Sequence, residues 1–93
     1  MRFLLNKKYG TFCISDFAKG KLCCDTNYPD DHDEHLREDL MDLIVIYGSE
    51  KISGKNAKLK IVEVPDDITD WTTINYDGCE TLIYVLNGEL YFV

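Results

Sequence analysis

Six carboxylates, Asp30, Asp31, Asp33, Glu34, Glu38 and Asp39, fall within one short stretch and form the densest group of chemically capable side chains in the sequence. Carboxylates at this density complement surfaces rich in Lys and Arg, and a groove built to hold nucleic-acid phosphate is such a surface. Segments 25–42 and 63–80 together carry enough acid to occupy a basic groove as a decoy. The plainer reading is a solvated acidic face.

Other chemistries find less support. His32 and His35 lie three residues apart, downstream of Cys23 and Cys24, and zinc takes imidazole nitrogen and thiolate sulfur in a tetrahedron. Adjacent cysteines, however, make strained ligands to one ion. The acidic stretch lacks the spacing and turn glycine of a calcium loop. Cys13, Cys23, Cys24 and Cys79 have no base fixed beside them in sequence, and a thiol nucleophile needs one or some other means of lowering its pKa. The glycines are isolated and build no phosphate-cradling loop, and Ser15, Ser49 and Ser53 lack the context of a serine hydrolase. A small basic loop, residues 51–60, offers Lys51, Lys55 and Lys58 around Gly54 as an alternative site for an anionic ligand such as a nucleotide. The expectation is a non-enzyme without cofactor or metal.

Charge is distributed in blocks. Net charge is −7, with +4 on residues 1–24, −7 on 25–42, +3 on 43–60 and −7 on 61–93. Such a surface disfavours direct nucleic-acid binding and favours a basic protein partner. No stretch approaches the ~18 apolar residues that span a bilayer, and the opening apolar run is too short for a signal peptide. Together with four cysteines, this leads to the expectation of a cytoplasmic protein with reduced thiols.

The elements that must position these groups are legible in outline. At 93 residues the chain makes one domain, 1–93. Arg2–Leu5 and Thr11–Ser15 read as a hairpin turning at Gly10, followed by a short helical turn from Ser15-Asp16 that ends at Gly20. Leu36, Leu40, Leu43, Ile44 and Tyr47 recur at helical period, with Asp31 or Asp33 as cap and Gly48 as the stop. Val45 and Ile46 widen the apolar arc, predicting a helix covered on more than one side. Lys58–Val64 alternates as a strand. Three further strands, Trp71–Tyr76, Thr81–Leu86 and Leu90–Val93, are joined by Asp77-Gly78 and Asn87-Gly88, both hairpin signals. The fold class is therefore α+β: an antiparallel sheet of about five to six strands, N-terminal hairpin plus C-terminal meander, against one main helix. The last strand presents an edge that must be covered. Pairing with the N-terminal hairpin is the favoured solution; pairing in trans, as a homodimer or a partner-binding edge, is the alternative.

Three stretches resemble a known pattern. Residues 5–15 resemble "INKxYGxFxLS", and residues 37–48 resemble "RxDPxLxxVVxxLG". Residues 57–68, with Trp71 and residues 76–80, resemble "AKLKIVEIPDDIxWxIxxYDGxE". This pattern is similar to that of small bacterial and phage proteins to which no activity is attached. Segment 19–35 departs from it, Leu40 stands where the family tends to have proline, and the tail ends differently. The resemblance implies a phage or mobile-element setting, and hence the host cytoplasm. The expected function is non-enzymatic binding that inhibits a host protein, for example an anti-CRISPR or other anti-defence protein.

Overall fold

Two short strands with alternating side chains form the middle layer of the molecule. The computed structural model describes all residues, Met1–Val93, with β1 (Arg2–Asn6) and β2 (Leu59–Glu63) paired antiparallel, Leu4 opposite Ile61 and Phe3 opposite Val62. Successive strand residues point to opposite faces. One face of this pair therefore carries Leu4, Leu59 and Ile61, which pack with Leu40, Met41, Ala18 and Ile52 from the helices. The other carries Phe3, Leu5 and Val62, which pack with Leu82, Tyr84 and Ile68.

The helices are α1 (Asp16–Leu22), α2 (Glu34–Tyr47) and α3 (Ser49–Ile52). The meander is β3 (Asp70–Tyr76), β4 (Cys79–Leu86) and β5 (Glu89–Phe92), in the order β3-β4-β5. The result is three layers: helices, a two-stranded ribbon, and a three-stranded sheet. No helix is long and apolar enough to cross a membrane.

Several expectations hold and several need correction. Asp33 caps α2 by accepting from the His35 and Leu36 amides, and Gly48 ends it at φ 92°. Asp77-Gly78 and Asn87-Gly88 take positive φ at both positions, as tight hairpins of the meander require. The N-terminal hairpin, by contrast, does not form. Phe12, Cys13 and Ile14 are all buried, so this segment has no solvent face to alternate toward. It makes a single bridge, Ile14 to Ser53, and Asn27 bonds both the amide and the carbonyl of Ile14. β1 pairs instead with β2. There are consequently two sheets, of two and three strands, in place of one.

The expected main helix is present as α2, and two shorter helices, α1 and α3, accompany it. α1 runs past Gly20 because Cys23 adopts the left-handed conformation (φ 53°) that closes the helix, with the Cys24 amide donating to the Lys19 carbonyl. Val45 and Ile46 are exposed: α2 packs on the core and the shorter helices through Leu36, Leu40, Met41, Leu43, Ile44 and Tyr47, and the face carrying Val45 and Ile46 is left to solvent. Finally, β5 pairs with β4 alone and is not closed by the N-terminus.

Candidate groove between the helix and the meander

Residue Arg37, the one base among eight acids in its segment, turns inward. From α2 its Nη1 donates to the Leu4 carbonyl at 2.6 Å, its Nη2 lies 3.1 Å from Glu80 Oε2, and its guanidinium stands 4.9 Å from the centre of the Phe12 ring. Its Nε also donates to the Asp31 carbonyl. Glu80 is buried at the start of β4, where its Oε1 accepts from the Asn6 amide at 2.8 Å. The fully buried Asn6 side chain donates to the Gly78 carbonyl at 2.8 Å and accepts from the Lys58 amide at 2.9 Å. Every buried side-chain polar atom has a partner. This node fixes α2, β1, β2 and the β3–β4 hairpin relative to one another, which a purely apolar contact would do with less directional definition.

Beside the node runs a groove of about 700 Å3. Phe3, Leu4 and Leu5 of β1, with Met41, contribute its apolar floor. One wall is β3, whose alternation turns Trp71, Thr73 and Asn75 to the inner side opposite Tyr84, Leu82 and Glu80. Trp71 meets Phe3 edge-on, ring centres 4.8 Å apart, and stays half-exposed. The other wall is the start of α2, with Asp31, His32, Glu34 and Glu38. A smaller cavity of about 290 Å3 around Tyr28, Pro29 and Gly78 shares Asp31 and Asn75 with this groove.

The structure divides the six acidic candidates. Asp31, Glu34 and Glu38 line the groove; Asp30, Asp33 and Asp39 do not. Asp30 and Asp33 instead accept from backbone amides, Asp30 from His32 and Asp33 from the first turn of α2. Arg2 compensates Glu38 at 3.0 Å and also binds Asp42 at 2.8 Å; these contacts, Asp42 first, raise its pKa further. Arg37 compensates Glu80. His32, highly exposed, lies 3.6 Å from Asp31 and neutralises it only when protonated. Glu34 has no ion-pair partner, so this wall keeps uncompensated negative charge in the groove that the half-exposed indole lines from the other side.

The other candidates are placed separately. No three His, Cys, Asp or Glu side chains come together as a metal site. Cys13 is in the core, Cys23 is exposed at the end of α1, and all four thiols are free. Lys51 belongs to α3 and directs its ammonium onto the Phe17 ring at 4.4 Å, next to Tyr47. Lys55 and Lys58 are exposed before β2. The groove's aromatic and structural members, Phe3, Trp71, Arg37 and Glu80, were not singled out by spacing; the lone base within an acidic run was the available signal.

No protein-family model matches the chain, and no characterised protein or solved structure is significantly similar to it.

Proposed function

We propose that this chain is a non-enzymatic binding protein that receives an arginine-presenting segment of a protein partner in the groove between α2 and β3. The observation that carries this reading is the half-exposed Trp71 side chain lining the same groove as Asp31 and Glu34, carboxylates that neither Arg2 nor Arg37 engages. A guanidinium stacks on an indole and offers a planar fork of donors to a carboxylate, and it sheds water more readily than an ammonium does. Arg2 and Arg37, which also line the groove, already engage Glu38 and Glu80, so an incoming cation finds Glu34 without an ion-pair partner and Asp31 with only His32 beside it.

Nucleic-acid-binding surfaces present arginine in this manner, and occupying one blocks it. Inhibition of a host defence protein in the cytoplasm is the corresponding biological proposal, and it agrees with the setting that the sequence resemblance implies. Use of the loop at 51–60 as a ligand site gains no support from Lys51, whose charge is already directed onto an aromatic ring.

Trp71 is the sole tryptophan, so its fluorescence reports the groove directly. Titration with an arginine-rich peptide should shift that emission saturably, and Glu34→Gln or Asp31→Asn should weaken the response. An emission spectrum indifferent to the peptide rejects the reading.

A further inference from the structure

Strand β4 is apolar on both faces, yet only one of them is covered. Leu82 and Tyr84 pack inward, whereas Thr81, Ile83 and Val85 point to the far side of the sheet. In register beside them stand Thr72, Ile74 and Tyr76 of β3 and Leu90 and Phe92 of β5. Ile74 is 52% exposed, Leu90 62% and Phe92 67%. No helix or strand lies over this face, and neither outer edge of the sheet is paired.

From this surface we infer that the outer face of the meander is the contact between two copies of this chain, packed sheet to sheet. Charge selects the occupant. The chain carries −7, but this face holds one charged residue, Asp70, at its corner. A basic partner finds only Asp70 as counter-charge here, while two like-charged copies can approach across a face nearly free of charge. A two-fold contact sets each patch against itself, and an apolar, β-branched and aromatic surface is self-complementary.

Area agrees. Aromatic side chains bury ~150–250 Å2 each, so the exposed portions of Ile74, Tyr76, Leu90 and Phe92 with their neighbours come to roughly 600 Å2 per copy. A pair would bury about 1,200 Å2, the lower end of the range for stable, specific interfaces. The arginine groove opens on the opposite side of the sheet, so dimerisation leaves it free.

Sedimentation equilibrium across the micromolar range tests the inference. The wild-type chain should be a dimer whose association tightens as salt is raised, because salt screens the repulsion between two acidic copies. Phe92→Lys and Ile74→Lys, on opposite outer strands, should each yield a monomer with unchanged far-ultraviolet dichroism and Trp71 emission. A wild-type monomer overturns the inference. So does a dimer that dissociates in high salt, which marks a charge-driven contact, or one that survives in both variants, which marks pairing through the backbone edges of β3 or β5.

Discussion

The Arg37 guanidinium on α2 lies 3.1 Å from the Glu80 carboxylate at the start of β4, across 43 residues of sequence. Both side chains are largely withdrawn from water. Removing one member of such a pair strands the other, which costs about 3–5 kcal/mol, whereas removing both costs much less. Arg37→Met and Glu80→Gln should therefore each destabilise strongly, Glu80→Gln also weakening the bond to the Asn6 amide. The double variant should be less destabilised than the sum of the two. Urea unfolding of the four proteins measures the coupling.

Two hairpin glycines provide a matched pair. Gly78 and Gly88 have similar positive φ, 88° and 80°. A Cβ at Gly88 meets nothing, whereas one at Gly78 would overlap the Gly10 carbonyl. Gly88→Ala should cost about 1–2 kcal/mol from left-handed strain alone. Gly78→Ala should cost clearly more, because the β3–β4 turn must also lift off Gly10. Thermal melts of both variants separate the two contributions.

The meander was legible because its information is local: Asp77-Gly78 and Asn87-Gly88 dictate turns that fix the register of three strands. The partner of β1 was not, because β2 lies more than fifty residues away and Thr11–Ser15 has β-like composition. What distinguishes that segment is burial of three consecutive side chains, Phe12, Cys13 and Ile14, and burial is a tertiary property. The acidic stretch was visible as composition. Its division into residues that bind backbone amides (Asp30 in the preceding turn, Asp33 as the cap) and groove residues (Asp31, Glu34, Glu38) depended on where α2 begins. Trp71 read as strand filler until β1 was placed beneath it.

The Met1 amine donates to the Asp66 carboxylate, and that hydrogen bond, reinforced by the amine's charge, holds Asp66 below the ordinary aspartate range. A depressed folded pKa adds stability above the ordinary value, and this is lost as pH falls through the depressed one. Asp66 is exposed, so the effect on stability is small. Carboxyl-detected NMR titration should find Asp66 titrating low, and acetylation of the amine should return it to the ordinary range.

Thiol accessibility follows burial. Cys23 should react first with an aromatic disulfide reagent, and Cys13, 3% exposed within the helix-side core, only on unfolding. Mass spectrometry of partially labelled protein gives the order.

The central claim, that an arginine-bearing partner enters between α2 and β3, is tested most directly by mapping amide and indole NMR shifts during titration with an arginine-rich peptide. Saturable changes should concentrate at Phe3, Glu34, the Trp71 indole and Asn75. Signals from Lys51, Lys55, Lys58, Ile74 and Phe92 should stay in place. Shifts centred on those five residues, with the groove unmoved, would contradict the account.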